Sequence, residues 1–145
     1  MAGAQMPSSQ EPLQGGCLCG GVRYEITAPL SSAGYCHCTH CQRRTGTASS
    51  LNGRVPQEGF ELLQGGELLR AYQPPGGRPK LFCADCGSAL FSGEPLTDEQ
   101  VTVRLGTLDG DPGIRPQYRQ FVASAVEWEP IPEDGLPRYQ RSRWA

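Results

Sequence analysis

Lysine is almost missing from this chain. Of its 13 basic residues only Lys80 is lysine and the rest are arginine, against 15 acids and a formal charge of −2. A nucleic-acid footprint needs a basic face, so no nucleic-acid partner is expected. Long apolar runs are lacking too. The longest mainly apolar stretch, Phe121 to Val126, falls far short of the ~20 residues that span a bilayer, so no membrane partner is expected. Residues 1–16, MAGAQMPSSQEPLQGG, hold no apolar segment of the signal-peptide kind. Without a secretory signal the thiols are expected to stay reduced, in a cytoplasmic protein. There is no internal repeat, and no helical periodicity of ten residues or more, which leaves an all-β single domain as the fold class.

What the chain does have in quantity is turn formers. Glycine and proline make up 19 and 13 of its 145 residues, above ordinary usage, as in a loop-rich protein that draws stability from metal as well as from a core. Val22 to Thr27 and Val101 to Leu105 alternate apolar and polar residues, the signature of half-buried strands. Shorter strands are expected at 59–63, 67–72, 80–83 and 89–92, divided by Gly65-Gly66 and Pro74-Pro75-Gly76-Gly77. Ser31 to Gly34 reads as a turn, and Gln42-Arg43-Arg44 as one short helical turn. Beyond residue 111 the prolines disfavour long ladders. Of the two tryptophans, Trp128 is expected to pack over a sheet edge, whereas Trp144 has no evident role.

Seven cysteines fall in three groups: Cys17-x-Cys19, Cys36-x-Cys38-x-x-Cys41 and Cys83-x-x-Cys86. On an extended backbone, Cys-x-Cys turns both sulfurs to one face. Cys83-Ala84-Asp85-Cys86-Gly87 has the form of a zinc knuckle, with Gly87 free to take a left-handed conformation. Spacing does not decide the pairing. Cys38, Cys41, Cys83 and Cys86 would make an ordinary zinc ribbon. Alternatively Cys17 and Cys19 close the knuckle and leave Cys36, Cys38 and Cys41 as a local trio, the partition we favour because six consecutive residues can hold a pre-formed site. Four ligands close a structural site, and three leave a position open.

Three thiolates leave a zinc site with one net negative charge, which blunts it towards water and suits it to an incoming thiol, held as thiolate. The chemistry expected is addition of a sulfur nucleophile to a carbonyl carbon, or the reverse. His37 alternates with Cys36 and Cys38 and should point away from their metal. His40 is a candidate proton donor to the carbonyl oxygen. Arg43 and Arg44 are candidates for binding the carboxylates of an acidic thiol.

Gly15-Gly16-Cys17-Leu18-Cys19-Gly20-Gly21-Val22-Arg23-Tyr24, Cys36-His37-Cys38-Thr39-His40-Cys41-Gln42-Arg43-Arg44-Thr45-Gly46 and Phe82-Cys83-Ala84-Asp85-Cys86-Gly87-Ser88 resemble the three motifs of the glutathione-dependent formaldehyde-activating enzyme family, which also includes centromere protein V. Leu105 to Asp109, Trp128 and Asp134 to Pro137 look familial as well. The resemblance implies a β-tent of small antiparallel sheets stapled by zinc. It implies a structural zinc on Cys17, Cys19, Cys83 and Cys86, and a second, catalytic zinc on Cys36, Cys38 and Cys41, so two Zn²⁺ per chain. The implied activity is a carbon–sulfur lyase type, condensing glutathione or a similar thiol with formaldehyde or another small aldehyde. Because centromere protein V shares the framework, a non-catalytic zinc-stapled binding module is the alternative. The expected organisation is a disordered tail over 1–13, the zinc-binding domain over 14–140 and a short tail over 141–145.

Overall fold

Period-two alternation produces the strands that carry the core. The computed structural model describes residues 5–144; residues 1–4 of the expected N-terminal tail and Ala145 of the expected C-terminal one lie outside them. In chain order the elements are β1 (Leu13–Gly16), β2 (Arg23–Ile26), β3 (Ser32–Cys36), α1 (Thr39–Thr45), β4 (Ser50–Pro56), β5 (Phe60–Gln64), β6 (Leu69–Tyr72), β7 (Lys80–Cys83), β8 (Ala89–Ser92), β9 (Gln100–Arg104) and β10 (Arg119–Gln120). The fold is therefore mostly β with one short helix. A three-stranded sheet runs β1-β2-β5 and a seven-stranded one β10-β3-β4-β9-β8-β7-β6. All neighbours are antiparallel except β10, which pairs parallel to β3.

The core lies where the two sheets face each other. Tyr24 and Ile26 of β2 and Phe60 of β5 meet Val55, Phe91, Val101 and Val103 of the larger sheet, all buried. Tyr24, Phe60 and Phe91 form an aromatic triangle with centroids 5.2 to 5.6 Å apart. Burying each such ring contributes roughly 1.5–3 kcal/mol. The Tyr24 hydroxyl, 2.6 Å from Thr107 Oγ1, keeps its polar end satisfied inside that core.

Sequence and structure differ at four places. Ser31 to Gly34 was expected as a turn, but Ser32–Cys36 is a fully paired strand between β4 and β10. Its small residues serve packing: a Cβ at Gly34 would overlap the Tyr118 ring. Strand β4 was not anticipated, because Asn52 and Gly53 interrupt its apolar pattern. Trp128 does not pack over a sheet edge; it is 70% exposed. The helical turn expected at Gln42 to Arg44 begins earlier, at Thr39, because Cys38 caps it.

Candidate functional site

Cys17 and Cys19 follow β1 in the small sheet, while Cys83 ends β7 of the large one and Cys86 closes the turn after it. All four sulfurs lie within 4.8 Å of one another, with Cys17 to Cys19 at 3.5 Å and Cys19 to Cys83 at 3.8 Å. The knuckle turn closes through the Gly87 amide, which donates to the Cys83 carbonyl at 2.8 Å, with Gly87 at φ +76° as its shape demands. The Val22 amide lies 3.2 Å from the Cys17 sulfur. The Ser88 hydroxyl lies 3.2 Å from the Cys86 sulfur. Hydrogen bonding by Ser88 is the first cause that brings the Cys86 thiol down to about 5. The quartet thus joins the two sheets.

Cys36, Cys38 and Cys41 form the second cluster, their sulfurs again within 4.8 Å of one another. Cys36 ends β3 and Cys41 lies on the buried side of α1. Cys38 is the N-cap residue, its sulfur accepting the Cys41 amide at 3.3 Å in the place an oxygen usually takes. Gln42 fastens this loop by donating to the carbonyls of His37 at 2.7 Å and Ser124 at 2.9 Å. Within the trio the three thiols influence one another in opposite directions. The Cys41 thiol is pushed down by the Cys36 and Cys38 thiols, and further by Ser50 and the charge of Arg104, while that of Cys36 is pushed up.

The trio opens into a cavity of about 590 Å³. Asn52 and Arg54 of β4, Thr102 and Arg104 of β9, Ser92 of β8 and Lys80 of β7 form its floor. Tyr118, Phe121 and Trp144 add an aromatic wall. Arg143 stacks between Tyr118 and Trp144, at 4.2 and 4.3 Å from their ring centroids, and Arg54 lies 5.4 Å from that of Trp144. Sequence reasoning missed Arg54, Lys80, Arg104 and Trp144. A signal was present at Arg104, the polar member of an alternating apolar strand, but the cavity it faces is built from strands far apart in the chain.

The other residues singled out from the sequence lie elsewhere. His37 is only 4% exposed and sits beyond the trio, its Nε2 3.2 Å from Arg119 Nη1. Guanidinium has no acceptor, so Nε2 must accept and the ring is neutral. Burial, and then the Arg119 charge, hold its pKa below the usual range accordingly. His40, Arg43 and Arg44 line a separate cavity of about 580 Å³ with Tyr72, Pro74 and Phe82. Lys80 lines both cavities. Arg44 donates to the carbonyls of Leu81 and Phe91, and burial lowers its pKa to about 10.

Both clusters suit a thiophilic ion. Tetrahedral zinc with Zn–S bonds of ~2.3 Å sets its sulfurs ~3.8 Å apart, close to the 3.5 and 3.8 Å found in the quartet. No carboxylate or histidine belongs to either cluster, a donor set that favours zinc over hard cations.

A family model described as glutathione-dependent formaldehyde-activating enzyme matches residues 12–124. A protein of Halomonas elongata, provisionally named a glutathione-dependent formaldehyde-activating enzyme, is 28% identical over 128 residues, which cover 82% of this chain and 80% of that protein. Similarly named proteins of Phaeosphaeria nodorum and Penicillium rubens are 27% and 26% identical over 77% and 81% of this chain. The chain spans only 61% and 64% of those two fungal relatives. A crystal structure of a Rhodobacter sphaeroides protein shares the fold, with a TM-score of 0.55 at 21% identity over 87% of this chain and 98% of that one. Among the described residues no helix is long and apolar enough to cross a membrane.

Proposed function

Since the chain belongs to the glutathione-dependent formaldehyde-activating enzyme family, we propose that it is a zinc-dependent carbon–sulfur lyase-type enzyme, joining glutathione or a similar thiol to formaldehyde or another small aldehyde. Cys17, Cys19, Cys83 and Cys86 would hold a structural zinc, and Cys36, Cys38 and Cys41 a catalytic one. When bound at the trio, zinc would supply a soft Lewis acid that holds a substrate thiol as its reactive thiolate. The observation that carries this reading is the opening of the three clustered sulfurs into a cavity of about 590 Å³.

The chain's own side chains define what happens there. Arg54, Lys80 and Arg104 on the cavity floor offset the negative charge of the thiolates and favour an anionic substrate. Tyr118, Phe121 and Trp144 give the cavity an apolar wall, beside which those charge interactions are stronger than in open water. The substrate sulfur forms a bond to the aldehyde carbon, the C=O π bond breaks, and the proton lost from the thiol ends on the carbonyl oxygen. His40 of α1, the proton donor expected from the sequence, lines the second cavity and not the trio's, so the proton reaches the carbonyl oxygen through water.

The test is direct. Zinc-loaded protein, glutathione and formaldehyde are mixed, and S-(hydroxymethyl)glutathione is followed by exchange-sensitive NMR. Adduct formation well above the uncatalysed rate is expected. A rate equal to it, with both metal sites filled, would leave the zinc-stapled binding module as the better account.

A further inference from the structure

We infer that Arg54 and Arg104, with Lys80 beyond them, are the specificity-determining residues of the trio's cavity, binding a carboxylate of an acidic thiol. The inference rests on the lyase reading for its substrate, but on the geometry of the large sheet for its residues.

The sheet's register lays out a polar row. Ser32 pairs with Arg54, Arg54 with Thr102, Thr102 with Ser92 and Ser92 with Lys80, crossing five strands in turn. Arg104, opposite Asn52, belongs to the next row. The residues alternating with them, among them Val55, Val101 and Val103, face the core, so period two turns this polar set to the cavity. Arg104 is 7% exposed. Its terminal nitrogens donate to Asn52 Oδ1 and, at 3.3 Å, to Ser92 Oγ, both neutral. The Nε atoms of Arg54 and Arg104 are buried with no hydrogen-bond partner. Among the described residues neither guanidinium has a carboxylate within ion-pair distance, and no Asp or Glu lines the cavity. The fourth cation there, Arg78, is already paired with Asp98.

Buried cations call for anions. The trio supplies part of the answer: three thiolates around a zinc dication carry one net negative charge, and a fourth, incoming thiolate makes two. Arg54, Lys80 and Arg104 supply three positive charges. One positive charge is left for a further anion on the same substrate, and the guanidinium fork matches carboxylate.

Calorimetry on the zinc-loaded full chain, titrated with S-methylglutathione, tests this without any turnover. That probe keeps both carboxylates and has no thiol to bind metal. It should bind saturably, its diethyl ester should bind at least roughly tenfold more weakly, and Arg54→Gln and Arg104→Gln should each weaken the acid by a similar factor. Should Arg104→Gln fail to fold, Arg54→Gln and Lys80→Gln decide the matter. Acid and ester binding alike, or arginine variants that titrate like the parent, would overturn the assignment and leave the cations as mere counter-charges to the thiolates. The two ideas fail separately. Binding through Arg54 with no adduct formation would remove the lyase reading alone. Condensation as fast with 2-mercaptoethanol as with glutathione, and untouched by Arg54→Gln, would remove this inference alone.

Discussion

At Cys41 several influences meet on one sulfur: the neighbouring Cys36 and Cys38 thiols, the Ser50 hydroxyl and the charge of Arg104 all favour its thiolate, against burial. A hydroxyl in its place keeps the size but loses the soft ligand. Cys41→Ser should therefore lower the zinc content from two equivalents to one, by atomic absorption, while the fold persists on the quartet. Cys83→Ser should act oppositely. It removes one of the four sulfurs that would hold a structural zinc, an ion that would contribute on the order of 10 kcal/mol, and the chain should lose its cooperative thermal transition. Trp144 stands at the cavity wall against Arg54 and Arg143, and cation–π contacts of this kind are worth about 0.5–2 kcal/mol. It touches no reacting atom, so Trp144→Ala should raise KM for the thiol severalfold and leave kcat nearly unchanged.

Among the elements, β3 shows how a central strand can look like a turn. Ser32, Ala33 and Gly34 carry neither apolar bulk nor alternation, yet all three are paired with β4, and the Ala33 carbonyl accepts the Gln117 amide on the other side. Their smallness answers to Tyr118, which lies over Gly34. Overpacking a filled site costs about 1–3 kcal/mol, so Gly34→Val should lower the unfolding free energy by that much, seen as a lower denaturant midpoint with an unchanged slope. The strands that alternate, β2 and β9, were legible because each has one face on the core. Strand β4 was not, because Gly53 supplies no apolar side chain at a core-facing position and stands beside Asn52, which breaks the alternation. The helix was legible as a turn, but its start depended on a cysteine sulfur acting as cap.

On the scale of the whole molecule, the quartet connects the small sheet to the large one at the edge of the shared core. A metal held by the quartet would stabilise the same interface as the aromatic triangle, so a strong chelator should unfold the chain. A mild chelator should take only the trio's ion, which has three protein ligands, and leave the far-ultraviolet circular dichroism unchanged. Acid should destabilise the fold independently of metal. Asp109 and Asp111 are held below their ordinary carboxyl value of 3.8, chiefly by Arg23 and Arg115, and Asp134 chiefly by the Leu136 amide. The unfolded chain therefore takes up these protons first. Their stabilisation is complete above about pH 4 and drains as pH falls through the lower folded values. Thermal midpoints measured in that range should drop with pH, and replacing Asp134 by Asn should flatten the dependence.

The chain's own order of residues determined the local chemistry: which cysteines can grip one ion, which segments alternate, and the motifs that point to the family. These depend on spacings of two or three residues, over which backbone geometry is set by the chain itself. The tertiary structure decided everything that needs distant segments to meet. It brought Cys17 and Cys19 to Cys83 and Cys86, put Arg54 and Arg104 side by side from strands about fifty positions apart, and turned His40 and Arg43 to a different cavity from the trio. Strand pairing across that separation is governed by how the two sheets share one core, and no local pattern records it.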